Sequence, residues 1–167
     1  MKIIFLDVDG VLNSNDYMDY TLKNNIKGIL EDVDPQKIEM LKYALNITGA
    51  QIVVSSSWRN IRKFEDLKSL FLKYDIKLDE KTPLIGNNRG LEIKEYIKEH
   101  NNIEQYLILD DEIFDSFDEE LISNLILTKE DSNDNSYGNG IQLKHIKQII
   151  DRFGKVEKKK LEHDDER

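Results

Sequence analysis

KIIFLDVDGVLN, residues 2–13, is the stretch of sequence that decides the fold. Residues 2–6 form a largely apolar, β-branched run that is too short for a helix and is typical of a buried strand. Asp7 and Asp9 follow the run, and Gly10 then permits a sharp turn of the backbone. We therefore predict a strand that carries a D-x-D-G motif at its carboxyl end.

Further strands and helices alternate along the chain. Asp34 and Pro35 together predict a helix start, with a capping carboxylate followed by proline in the first helical position, and Gly49 predicts the end of that helix. The remaining patterns predict helices at about 35–47, 64–74, 91–99 and 143–153, strands at 51–55, 105–109 and 125–127, and loops at 75–89 and 129–140. Residues 13–33 are polar and irregular, with a modest helical pattern near residues 22–30. This alternation predicts an α/β, Rossmann-like parallel sheet with helices on both faces.

Composition limits the class of protein. The 167 residues fit one domain, which we place at residues 1–154, followed by a charged C-terminal tail at residues 155–167. The absence of an apolar stretch long enough to cross a bilayer, of a signal peptide and of cysteine predicts a cytoplasmic protein without a membrane partner. The net charge of −9 argues against a general electrostatic grip on nucleic acid.

Polar side chains follow the ends of three predicted strands. Asp7 and Asp9 follow the first, Ser56 follows the second, and the pair Asp110 and Asp111 follows a later one. Because the carboxyl ends of parallel strands share one edge of a sheet, we expect these side chains to meet there. Carboxylates gathered in this way repel one another unless a cation lies between them.

FLDVDGVLN resembles the first motif of the haloacid dehalogenase (HAD) superfamily, D-x-D-G. The resemblance continues with a serine after the second strand, a basic residue before a later helix and an acidic pair after a further strand, within residues 5–111. It implies a HAD fold and a phosphatase that works through an aspartyl-phosphate intermediate. Asp7 would be the nucleophile and Asp9 the general acid and base.

The same resemblance implies a magnesium cofactor. A divalent cation neutralises the charge that otherwise keeps a carboxylate from attacking a phosphate dianion. The side chain of Asp7, the backbone carbonyl of Asp9, and Asp110 or Asp111 would supply the protein ligands.

The serine run SSSWR, residues 55–59, offers several substrate contacts. Superfamily members with T-x-W after this strand are similar to residues 56–58, which favours Ser56 as the phosphate-binding hydroxyl; Ser55 is the alternative, and Ser57 is a third candidate. Arg59 either reaches the substrate or pairs with a neighbouring carboxylate.

The basic residue that balances the phosphoryl charge lies within RGLEIKEY, residues 89–96. The family usually has lysine here, and this chain offers Arg89 and Lys94. We favour Arg89 because it precedes the predicted helix and can point toward the strand ends.

The short spacings between motifs leave no room for a separate cap domain, so we expect a minimal cap or none. The layout of SSSWR, RGLEI and LILDDE resembles the HAD domain of Swiss Army Knife RNA repair proteins. That resemblance implies a phosphorylated substrate such as a nucleotide or an RNA or DNA end. Trp58 and Arg59 are candidates to stack on a base or to hold a second phosphate.

Two alternatives come from other functional classes. A response-regulator receiver also holds a phosphoryl group on a parallel sheet, but its acidic pair follows the first strand, whereas this chain has D-x-D-G first. A catalytically degenerate HAD domain would bind phosphorylated ligands without turnover; the presence of Asp9 argues against it.

Overall fold

A five-stranded parallel sheet forms the centre of the fold. We describe it from a computed structural model, which covers residues 1–28, 30–130 and 136–156, without the side chains of residues 61 and 62. The strands in these residues are β1 (Lys2–Leu6), β2 (Gln51–Val54), β3 (Glu80–Lys81), β4 (Gln105–Asp110) and β5 (Leu125–Leu127). Their order is β3-β2-β1-β4-β5, and every pair is parallel.

Helices cover both faces of this sheet. In the described residues they are α1 (Asn15–Lys23), α2 (Pro35–Thr48), α3 (Ile61–Leu72), α4 (Arg89–Glu99), α5 (Glu119–Ser123) and α6 (Leu143–Phe153), with one 3-10 turn at Ser57–Arg59. Side chains alternate along β1, so that Ile4 and Leu6 pack in one apolar cluster with α2, α3 and α6. Ile3 and Phe5 pack in a second cluster with α4 and α5. The predicted α/β Rossmann-like class is confirmed.

The cap chemistry of α2 matches its sequence signals. Asp34 accepts a hydrogen bond from the backbone N–H of Gln36 at 2.9 Å, Pro35 is the first helical residue, and Gly49 closes the helix at φ 69°. The predicted helices at 64–74 and 91–99 are also present, but begin at Ile61 and Arg89. Asn60 and Asn88 each cap a helix through the side chain, which explains the earlier starts.

Three short elements lie where the sequence patterns predicted none. Helix α1 occupies Asn15–Lys23, ahead of the weak helical pattern at 22–30, and it buries a single side chain, Thr21. Strand β3 falls within the predicted loop 75–89; it has two polar residues at the sheet edge. Helix α5 has five residues. Elements this small or this polar carry little hydrophobic periodicity.

The connection between β1 and α2 is one of the two spacings from which no separate cap domain was predicted. Of its described residues, only the nine of α1 form a helix. No large cap is present in the described part of the chain, as the motif spacing predicted.

The two described ends of the chain lie at the amino ends of the strands. The ammonium group of Met1 lies 2.9 Å from Glu104 Oε1, just before β4. Lys2 Nζ lies 3.3 Å from the carbonyl oxygen of Thr48 and 3.5 Å from that of Gly154. The edge opposite the Asp7 end of β1 therefore holds both described ends.

Three further predictions fall partly outside the described residues. The predicted tail, 155–167, is described only to residue 156, and residues 131–135 of the predicted turn-rich stretch lie outside the description. The domain boundary at residue 154 stays a prediction.

In the described residues, no helix has the length and apolar character that a membrane span requires.

Candidate active site

The carboxyl ends of β1, β2, β4 and β5 bring the site together. The backbone N–H of Asp7 donates to Leu109 O at 2.9 Å, and that of Ser55 donates to Leu6 O at 3.0 Å. Thr128, just after β5, donates its backbone N–H to Asp110 O at 3.0 Å and its hydroxyl to Gly10 O at 2.7 Å. The sheet register thus sets the residues that follow these strands side by side.

Asp7, Asp110 and Asp111 form an acidic group at this edge. Each offers one carboxylate oxygen, and these oxygens lie within 4.8 Å of one another. Gly10 permits this approach, since a Cβ at its position would lie 2.3 Å from Asp111 Oδ2, and its φ of +71° is one that glycine adopts readily. The side chains of Asp7 and Asp110 are buried, and that of Asp111 is half-buried.

Burial and mutual repulsion make ionisation of this group unfavourable. Burial raises the pKa of Asp7 to about 6, against the opposing effect of Arg89. Burial, and then the charge of Asp7, raise the pKa of Asp110 well above its usual range. Burial also raises the pKa of Asp111, while nearby Lys129 lowers it. The chain therefore concentrates carboxyl groups that a cation would stabilise in their charged form.

The donor set fits magnesium. Three carboxylates supply only hard oxygen ligands, which Mg²⁺ prefers, and among the described residues no other group of three or more acidic or histidine side chains comes close enough to share an ion. Asp7, Asp110 and Asp111 would hold such an ion.

Arg89 reaches into the acidic group from the first position of α4. Its Nη1 lies 2.7 Å from Asp110 Oδ2 and 3.3 Å from Asp7 Oδ1. The guanidinium carbon lies 4.9 Å from the centre of the Phe114 ring. Lys94, the other candidate, pairs with Asp118 on the surface. The geometry thus places Arg89, and not Lys94, beside Asp7.

Asp9 stands outside the group of three carboxylates. Its Oδ1 accepts a hydrogen bond from Asn13 Nδ2 at 3.2 Å, and its Oδ2 accepts one from the indole N–H of Trp58 at 2.9 Å. Asn13 also accepts from the backbone N–H of Gly10 at 2.6 Å. Sequence reasoning missed Asn13, although it closes the motif FLDVDGVLN and is fully buried.

The three serines take different positions. The Ser56 side chain hydrogen-bonds to Asp7, which lowers the pKa of that carboxyl group, and Ser56 Oγ accepts from the backbone N–H of Trp58 at 3.2 Å. Ser55 is buried, and its Oγ has no hydrogen-bond partner in the described part of the chain. Ser57 is exposed at the start of the 3-10 turn. Ser56 is thus the serine with a hydrogen bond to Asp7.

Arg59 forms a buried ion pair with Glu92. Its Nη1 donates to the carbonyl oxygens of Ser55 and Ser56 at 2.7 and 2.9 Å, and its Nη2 pairs with Glu92. Glu92 also accepts from the backbone N–H of Ile85 at 2.9 Å. Of the two roles considered for Arg59, pairing with a carboxylate is the one that these contacts match.

A comparison with protein families identifies one whose model matches the part of the chain that contains these residues. The family is described as the HAD domain in Swiss Army Knife RNA repair proteins, and its model matches residues 3–133. The matched segment runs from β1 past Asp111 and so includes the acidic group, Asp9, Ser56 and Arg89. Comparisons with curated proteins and with solved structures gave no match.

The raised carboxyl pKa values predict that Asp7→Asn stabilises the metal-free protein. The folded chain binds the Asp7 proton more tightly than the unfolded chain, so this group lowers the free energy of unfolding as the pH rises from 3.8 to about 6. In EDTA, thermal or urea unfolding should show Asp7→Asn to be more stable than wild type at pH 8, by about 3 kcal/mol. The advantage should shrink as the pH falls to 4.

Magnesium and a surface variant provide the controls for this prediction. Mg²⁺ should stabilise wild type more than Asp7→Asn, because the variant lacks one carboxylate ligand. Asp151→Asn changes an exposed carboxylate that pairs with Lys147, and it should follow wild type at every pH. An Asp7→Asn advantage that is the same at pH 4 and pH 8 would contradict the assigned ionisation.

Proposed function

This chain belongs to the family of HAD domains in Swiss Army Knife RNA repair proteins, and we propose that it is a magnesium-dependent phosphatase that hydrolyses phosphate monoesters through an aspartyl-phosphate on Asp7. One observation carries the proposal: the oxygens of Asp7, Asp110 and Asp111 lie within 4.8 Å of one another, and Arg89 contacts two of these carboxylates. This arrangement supports the assignment of Asp7 as nucleophile beside a candidate cation site and the positive charge of Arg89.

In the first step, a carboxylate oxygen of Asp7 attacks phosphorus as the bond from phosphorus to the leaving oxygen breaks. The proton of the Asp9 carboxyl group passes to that leaving oxygen. Arg89 balances negative charge beside Asp7, and Ser56 is placed to donate its hydroxyl to the phosphoryl group.

In the second step, water attacks phosphorus and gives its proton to the Asp9 carboxylate. The bond between phosphorus and the Asp7 oxygen then breaks, which releases phosphate and restores both aspartates. The separation of Asp9 from the other three carboxylates supports this role, because an acid and base for both steps must keep its side chain off the cation.

Magnesium would be held by Asp7, Asp110 and Asp111, with the Asp9 backbone carbonyl as a further proposed ligand. When bound, it neutralises the phosphoryl oxygens and so lowers the repulsion between them and the attacking carboxylate.

We place the substrate among nucleotides and nucleic-acid ends. The family description refers to RNA repair, and in the described residues no large cap encloses a small substrate. The expected stacking of Trp58 on a base lends no support, because its side chain is only 5% exposed. Arg59 is engaged with Glu92 and gives no support for a second phosphate contact.

Replacement of the nucleophile should abolish turnover. Asp7→Asn removes the attacking carboxylate but leaves the side-chain volume nearly unchanged, so we expect loss of phosphatase activity with the fold intact. The measurement is phosphate release, with circular dichroism as the test of folding and Asp151→Asn as the matched control. Activity above a few per cent in clean Asp7→Asn protein would exclude Asp7 as the nucleophile.

The lifetime of the phosphoryl group on the protein separates the proposal from its two rivals. A receiver domain would retain a long-lived phosphoryl group in wild type, and a degenerate domain would bind phosphorylated ligands without releasing phosphate. Acid-quenched labelling should instead give a transient phosphoenzyme in wild type and none in Asp7→Asn.

Chelation should stop turnover, and magnesium should restore it. Calcium is expected to substitute poorly, since its larger and looser coordination shell misplaces the phosphoryl group relative to Asp7. The measurement is kcat in EDTA and after titration with each cation. Full activity in EDTA would rule out a metal-dependent mechanism.

The substrate class can be tested by comparing kcat/KM between types of substrate. We expect kcat/KM for a 3′- or 5′-phosphorylated oligonucleotide to exceed that for several sugar phosphates under the same magnesium and salt conditions. A tenfold preference for sugar phosphates, about 1.4 kcal/mol in transition-state binding, would instead indicate a small-metabolite phosphatase.

A further inference from the structure

Trp58 is the single tryptophan of the chain, and the steps above give it no role. It lies in the 3-10 turn after β2 and packs with the cluster of α2, α3 and α6. Its ring is buried, yet the indole N–H reaches Asp9 Oδ2 at 2.9 Å. A buried tryptophan usually satisfies its N–H with some acceptor, but here the acceptor is the proposed acid and base.

Both carboxylate oxygens of Asp9 are held by N–H donors. Trp58 binds Oδ2, and Asn13 binds Oδ1 at 3.2 Å while its own side-chain oxygen accepts from Gly10. Indole and amide N–H groups donate and do not titrate in the range where carboxylic acids do. They fix the direction of the carboxyl group, and each oxygen keeps a lone pair for the proton that Asp9 transfers.

The hydrogen bonds from these donors hold the Asp9 carboxyl group against an electrostatic attraction. Asp9 is close enough to raise the pKa values of Asp7 and Asp111, so a cation in the acidic group would attract its carboxylate. A side chain that turned to bind that cation would no longer face the leaving oxygen. The hydrogen bonds to Trp58 and Asn13 oppose that rotation.

We propose that Trp58 is a positioning residue whose indole N–H holds the Asp9 carboxyl group away from the cation and toward the leaving group. The inference rests on the proposed phosphatase function. The same turn also aligns Ser56, whose Oγ accepts from the Trp58 backbone N–H and whose side chain hydrogen-bonds to Asp7. One residue thereby sets the relative placement of the acid and base and of the hydroxyl beside the nucleophile.

The contact can be tested without any substrate. Because the chain has one tryptophan, its ¹⁵N–¹H spectrum has a single indole resonance. Asp9→Ala should move that resonance upfield and speed its exchange with solvent, since the N–H loses a charged acceptor. Asp151→Asn should leave it in place. An indole resonance unchanged by Asp9→Ala overturns the inference, even if Trp58 variants fail to fold.

The role in turnover is tested with Trp58→Phe, which keeps an aromatic ring but removes the N–H. We expect kcat to fall roughly tenfold or more, with KM and the unfolding temperature close to wild type. Lys63→Met is the matched control, because Lys63 Nζ contacts the other part of the same residue, 4.5 Å from the ring centre, and leaves the N–H untouched. This control should keep wild-type kcat.

An Asp9→Asn background separates positioning from a merely structural effect. If Trp58 acts through Asp9, Trp58→Phe should cause little further loss of kcat once the acid and base is gone. An equal fold-loss in both backgrounds would overturn the inference. So would wild-type kcat in Trp58→Phe. Absence of phosphatase activity in wild type itself would refute the proposed function, which keeps the two failures distinct.

Discussion

Repulsion among three desolvated carboxyl groups governs the arrangement of the carboxyl edge of the sheet. Asp7 and Asp110 are buried side by side, so each charge must be offset by something fixed in the fold. Arg89 supplies one counter-charge, and α4 begins at that residue. Gly10 supplies space for Asp111. These three carboxylates could therefore hold a cation.

The strands and their polar ends could be predicted because buried parallel strands are uninterrupted apolar runs. Residues 2–6 and 105–109 have this pattern, and the first aspartate after each run must emerge at the same edge. The position of Arg89 beside Asp7 was also predictable, since a residue that opens a helix can face the carboxyl ends of the strands. Local sequence was sufficient in these cases because it predicts where each strand or helix begins and ends. The parallel topology then fixes the edge of the sheet at which the adjoining residue lies.

Side-chain orientation was not predictable from the same patterns. Arg59 follows the serines directly, but its guanidinium turns to the buried Glu92, whose position depends on how α4 packs. Asn13 and Trp58 donate hydrogen bonds to Asp9, although they lie 4 and 49 residues from it in sequence. Helix α1 and strand β3 were missed because polar elements that bury little surface lack a hydrophobic period.

The placement of both described chain ends at the amino edge of the sheet has a modular consequence. Met1 is anchored near Glu104, and Gly154 lies close to Lys2, on the side remote from Asp7. A domain joined directly before Met1 would start from the side of the sheet remote from Asp7, and so would not begin over the acidic group. Such an attachment would leave the carboxyl edge of the sheet, with Asp7, Asp110 and Asp111, accessible from the opposite side.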